Sequence, residues 1–127
     1  MADMYGAVRS SYFKVKDPEA FKAWFSENCY FGSDVSLWDD TEEGFAFGGY
    51  EMYPSAYPRF PANDEECNDI NDWDLEAFAK AFAEQLVPGQ NLVVVAAGNE
   101  KLRYVSAQRL TVMSDGTFLL DEFYAGN

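Results

Sequence analysis

Histidine is absent from this 127-residue chain. That removes the commonest general base, the commonest transition-metal ligand and every Ser-His or Cys-His nucleophile. Cysteine is nearly absent, with Cys29 and Cys67 the only two. Two are too few for a disulfide framework and form no CxxC, so a zinc knuckle is not expected and both read as free, structural thiols of a reducing compartment. Gly48-Gly49 leads into neither a GxGxxG nor a GxxxxGK phosphate loop. No apolar run approaches the 18 or more residues of a membrane span. The first residues, Met1-Ala2-Asp3-Met4-Tyr5, show no basic stretch followed by an apolar one, so no secretory signal is read and the cytoplasm is the expected location.

Positive charge is also scarce. Nine Lys and Arg stand against 22 Asp and Glu, giving a formal charge of −13. The excess is confined. Residues 27–76 hold 14 acidic side chains and one basic, Arg59, while the flanks balance at eight each. An excess so concentrated makes a local negative field that draws cations or basic partners, whereas an excess spread over a surface mainly aids solubility. Solubility alone is the plain alternative reading. The apolar fraction is 48% and the aromatic fraction 17%, so the chain is not a disordered acidic tail. Its length fits one domain spanning 1–127.

Tyr5 to Val15 reads as a first strand from its partial alternation. Asp17-Pro18-Glu19 is a helix start: Asp caps free amides, Pro suits the first helical position and Glu favours the positive end of the dipole. Phe21, Trp24 and Phe25 then share one helix face ending near Asn28. Val35 and Leu37, a turn over 39–44, and Phe45 and Phe47 predict a hairpin. From about 48 to 72 the chain reads as an irregular acidic and aromatic loop with three prolines, a length that tends to be functional or mobile in a compact domain. Leu75, Phe78, Ala79, Phe82 and Leu86 form the stripe of a second helix, capped by Asp72 or Asp74 and stopped by Pro88-Gly89. Three strands follow: Leu92–Ala97, then Leu102–Met113 and Thr117–Tyr124 around the turn Ser114-Asp115-Gly116.

The predicted class is therefore α+β. The expected plan is a ferredoxin-like β-α-β-β-α-β core with two additional antiparallel strands at the end and both helices on one face of the sheet. The other face would be wet, or covered by the long loop or a partner.

No arrangement points to catalysis, and no cofactor is expected. Carboxylates alone would allow a glycosidase pair or a divalent-metal site. Asp69-Ile70-Asn71-Asp72-Trp73-Asp74 spaces oxygen ligands like the start of a calcium loop but lacks its sixth-position glycine and terminal Glu. The plainer reading makes Asp72 and Asp74 helix caps. In the segment 50–61, Tyr53, Tyr57 and Phe60 alternate with prolines beside Arg59. Aromatics and Arg are enriched at interaction hot spots, and proline stiffens a loop before binding; the competing reading folds the loop over the sheet edge. Asp39, Asp40, Glu42, Glu43, Asp64, Glu65, Glu66 and Asp69 surround these anchors with negative charge. The combination predicts a basic protein surface as partner.

The cations Arg9, Lys14 and Lys16, with Lys101, Arg103 and Arg109, would make the open sheet face basic if their strands are neighbours. No RNP-type motif accompanies them and the net charge repels phosphate, so cross-strand pairing with Glu100, Asp121 or Glu122 is expected in place of direct nucleic-acid binding. Neither a membrane nor a nucleic acid is read as a partner; a homodimer through the uncovered face stays open.

The stretches 11–24 (Ser11-Tyr12-Phe13-Lys14-Val15-Lys16-Asp17-Pro18-Glu19-Ala20-Phe21-Lys22-Ala23-Trp24) and 98–104 (Gly98-Asn99-Glu100-Lys101-Leu102-Arg103-Tyr104) resemble segments of small proteins carried by bacterial phages and plasmids. The resemblance contains no catalytic motif and assigns no residue a role. What it implies is a setting: mobile elements encode small acidic proteins that block host restriction or CRISPR nucleases. The confinement of charge to 27–76 separately suggests a patch that mimics a short piece of DNA. The function expected on these grounds is such an inhibitor of a nucleic-acid-binding host defence protein. The alternatives are an immunity or adaptor module binding through the Tyr/Pro loop, and a structural domain.

Overall fold

A computed structural model describes residues 5–29, 35–40, 42–51, 55–58, 75–100 and 104–126. Its elements are β1 (Tyr5–Ser10), α1 (Pro18–Asn28), β2 (Val35–Asp40), β3 (Gly44–Glu51), α2 (Leu75–Gln85), β4 (Asn91–Glu100), β5 (Tyr104–Met113) and β6 (Phe118–Gly126). The class is α+β, with one six-stranded sheet in the order β2-β3-β1-β4-β5-β6. Every neighbouring pair is antiparallel.

Helix α1 starts as its residues require. Asp17 is extended, its carboxylate accepts the Ala20 amide at 3.2 Å, and Pro18 occupies the first turn. Both helices turn aromatic stripes to one place. Phe21 of α1 and Phe82 of α2 lie 5.7 Å apart between ring centroids, and both meet Phe13 edge-on, at 5.5 and 5.1 Å. Phe21 also meets Phe45, and Phe25 meets Phe47, both on β3. Strand periodicity completes this core from below: Val8, Leu92, Val94, Ala96, Leu110 and Val112 are buried, while Ala7, Arg9, Val95, Ala97 and Arg109 between them are exposed.

β4 runs on to Glu100, beyond the expected Ala97, and two elements differ more. The first strand ends at Ser10, not Val15. Two serines intervene in the ladder. Ser10 Oγ accepts the Phe47 amide at 2.8 Å and donates to the Ser11 carbonyl, and Ser11 Oγ accepts the Val93 amide at 3.1 Å. Local side-chain bonds of this kind compete with sheet pairing. Beyond them Phe13 and Val15 make only single bridges, to Phe45 and Leu86. The segment from 48 to 51, expected to be irregular, belongs to β3. Glycine in a strand marks a close approach, and a Cβ on Gly48 would stand 2.6 Å from the Val8 carbonyl oxygen and 3.1 Å from the Trp38 ring. The Gly-Gly pair is a contact inside the sheet and not a break in it.

Candidate functional site

Of the acidic candidates, Asp39, Asp40, Glu42 and Glu43 are described, and they lie at the β2–β3 hairpin tip, at one end of the outermost strand pair. Asp40 shapes the tip: its Oδ1 accepts the amides of Glu42 and Glu43 at 2.8 and 3.0 Å, the self-bonding turn that Asp favours. Those amides, Glu43 and then Glu42, hold its carboxyl below the ordinary value of 3.8. Gly44 closes the turn at φ +102, with its Cα so near Phe13 that a Cβ would meet that carbonyl oxygen at 2.2 Å. Asp40, Glu42 and Glu43 are exposed, and no ion pair among the described residues involves them.

Asp39 differs. It points to the helix side of the hairpin and meets Lys22 of α1 at 3.3 Å; Lys22 also stands 3.9 Å from Glu19. Part of the mid-chain charge is thus neutralised by a flanking cation, and three carboxylates at the tip are left for solvent or a partner.

The Tyr/Pro loop is described at 55–58. Ala56 and Pro58 are fully buried, Tyr57 is half-buried, and the Ala56 amide donates to Gln108 Oε1 of β5 at 3.0 Å. These four residues sit against β5, with Ala56 in the core and Tyr57 packed on it. Tyr53, Phe60, Asp64, Glu65, Glu66 and Asp69 lie outside the described residues, as do the caps Asp72 and Asp74 and the calcium-like run they belong to. Among the described residues no three His, Cys, Asp or Glu side chains gather to hold a metal. Cys29 packs against the core, and burial raises its thiol pKa well above the ordinary value. That disfavours the reactive thiolate.

The open face of the sheet holds what composition did not single out. Arg9 lies between two rings, its guanidinium carbon 4.8 Å from the Trp38 centroid and 5.6 Å from that of Tyr12, distances at which a cation is drawn to a ring face. With Gly48 as floor and Tyr50 as far wall, Arg9 and Trp38 line an open hollow of about 500 Å³. Tyr50 is 80% exposed. Arg109 on the same face donates from Nε and Nη2 to Asp121 Oδ2, at 3.2 and 2.7 Å, the cross-strand pairing expected of it. The two described arginines of this face are therefore engaged within the sheet and form no free basic track. The missed signal was in β4: Leu92–Ala97 is apolar without alternation, the pattern of a strand covered on both sides.

No family model, no curated protein and no solved structure matches the chain. No helix among the described residues is long and apolar enough to cross a membrane.

Proposed function

We propose that this chain is a non-catalytic binding module whose acidic hairpin engages the basic surface of a nucleic-acid-binding protein. Within that reading it acts as a mobile-element inhibitor of a host defence nuclease. The observation that carries it is the tip of the β2–β3 hairpin. Asp40, Glu42 and Glu43 project from one tight turn, exposed and without an ion pair to any described cation. They belong to the segment 27–76 that accounts for the whole −13 excess. Duplex DNA presents about one charge per ~1.7 Å of axis, so closely spaced carboxylates on a rigid turn suit a site built for phosphates. The rigidity has named sources: the Asp40 turn, the close seat of Gly44 on Phe13 and the buried rings of Phe45 and Phe47 directly behind. A preset anionic turn loses little freedom on binding.

For the scaffold we infer a ferredoxin-like split β-α-β plan. Two placements support it. β3 lies between β1 and β2, which therefore run parallel, and β1 lies between β3 and β4, which also run parallel.

The test is retention of bacterial proteins on the immobilised chain, with duplex DNA as competitor and the Asp40→Asn, Glu42→Gln, Glu43→Gln variant as control. The expected result is a retained DNA-binding protein, released by duplex DNA and not held by the control. Retention that ignores both DNA and the triple substitution would refute the reading.

A further inference from the structure

We infer that the open face of the sheet is a self-association surface on which a second copy of this chain packs, sheet against sheet, about a two-fold axis running along the strands between β1 and β4.

The first argument is the face itself. Trp38, Tyr50, Val95, Val105, Leu119 and Phe123 are each 40% exposed or more, and by register all project from the side opposite the helices. The row Gly48-Arg9-Val95-Arg109-Asp121 crosses this face, with Arg109 paired to Asp121, and the other exposed apolar side chains stand on either side of it; exposed apolar surface on this scale marks an interaction site. Six strands about 4.8 Å apart span ~24 Å, and at ~3.3 Å per residue the shorter and longer strands run ~20 to ~33 Å. The flat area is then roughly 500–800 Å², close to the ~800 Å² per partner of a standard interface.

The second argument is charge. Among the described residues this face carries two acids, Asp121, bonded to Arg109, and Asp40 at the far end of β2. Two copies can meet here without bringing their acidic hairpin tips together across the centre.

The third is shape, and it selects a second copy over another partner. The sheet has three strands on either side of the β1–β4 junction. An isologous interface places each residue opposite its counterpart across the axis, so β1 faces β4 of the partner subunit, β3 faces its β5 and β2 faces its β6. One row of the sheet reads Tyr50, Ala7, Ala97, Ala107, Phe123 from β3 to β6. Across the axis the protruding Tyr50 falls on the partner's Ala107, and Ala7 on the partner's Ala97. The next row sets Gly48 opposite the partner's Arg109. At the outer two of these places, Tyr50 on the partner's Ala107 and Gly48 opposite the partner's Arg109, a tall side chain meets a low one, and at the axis two small alanines let the sheets approach. Aligned sheets cross at about 30°, which displaces the Tyr50 pair, one and a half strand spacings from the axis, by about one residue, within a tyrosine's reach.

This does not rest on the acidic-hairpin reading, and the hairpin triple variant should dimerise like the wild type. The experiment is sedimentation equilibrium of the full chain at about 0.1 mM, where a micromolar standard-size interface is mostly occupied. The salt is moderate, to screen repulsion between copies. The wild type should show twice the monomer mass. Ala107→Tyr opposes two tall rings and should weaken association at least tenfold. Tyr50→Ala combined with Ala107→Tyr exchanges tall and low across the axis and should recover most of it. Circular dichroism checks that each variant folds; should Ala107→Tyr not fold, Phe123→Glu, which charges the same face at its edge strand, takes its place. A monomeric wild type, or a dimer indifferent to these face substitutions, overturns the surface. A double variant no better than Ala107→Tyr overturns the register.

Discussion

The two faces of this sheet are cut from the same strands and behave as opposites. On the helix side Phe13, Phe21, Phe47, Phe78 and Phe82 are fully buried in one cluster of rings. On the other side Tyr50, Leu119 and Phe123 are more than half exposed. Aromatic content alone therefore says little about stability here. A ring gives its transfer and packing energy only where neighbours enclose it. The helix face holds the fold together, and the open face is free to be used.

The contrast is broken most strongly by emptying the core. Phe82→Ala removes a ring in contact with Phe13, Phe21, Trp24 and Phe78 and should cost about 3–5 kcal/mol in urea unfolding. Tyr50→Ala should change it by less than about 0.5 kcal/mol, measured in protein dilute enough that the midpoint no longer depends on concentration. Equal losses would erase the distinction between the faces.

A second contrast is between turns. Gly44→Ala places a Cβ against the Phe13 carbonyl at a positive φ and should destabilise by about 1–3 kcal/mol or more. Gly116, at φ +95 with nothing within 4 Å of its Cβ position, bears only the conformational penalty, about 1 kcal/mol for Gly116→Ala. Next, Asp17→Ala removes the α1 cap and should cost about 1 kcal/mol, with Asp17→Asn retaining most of it.

The smallest expected effect is on pH dependence. Asp40 and Asp115 are both held below 3.8, Asp40 by the Glu43 and Glu42 amides and Asp115 by the Thr117 hydroxyl and amide. A depressed folded value means that the unfolded chain takes up the proton first. The stabilisation is present above the unfolded value and fades as pH falls through the folded one. Thermal melting of Asp40→Asn with Asp115→Asn should be flatter below pH 3.8 than that of the wild type. Identical acid limbs would remove these turns from the acid response.

Much of the fold was legible where local chemistry decides it. Asp17-Pro18-Glu19 marked the start of α1, the spacing of Phe78, Ala79 and Phe82 the buried side of α2, and Ser114-Asp115-Gly116 the last hairpin turn. What escaped depends on distant partners. Ser10 and Ser11 end β1 because their hydroxyls meet amides of β3 and β4, contacts that nothing near them in the chain announces. Gly48 sits inside a strand because of Val8 and Trp38. The acidic cluster was legible as charge but not as geometry. Only in the fold does Asp39 separate from Asp40, turning to Lys22 while its neighbour builds the exposed tip. Arg9 between Tyr12 and Trp38 was read as part of a basic face, because its rings come from two separate segments.

The hairpin tip is tested most directly by titration calorimetry of the retained partner against the chain at rising salt. Affinity should fall steeply as salt screens the carboxylates, and the Asp40→Asn, Glu42→Gln, Glu43→Gln variant should bind more weakly with a shallower salt slope. Equal affinity and equal slope for the two proteins would show that these carboxylates do not meet the partner.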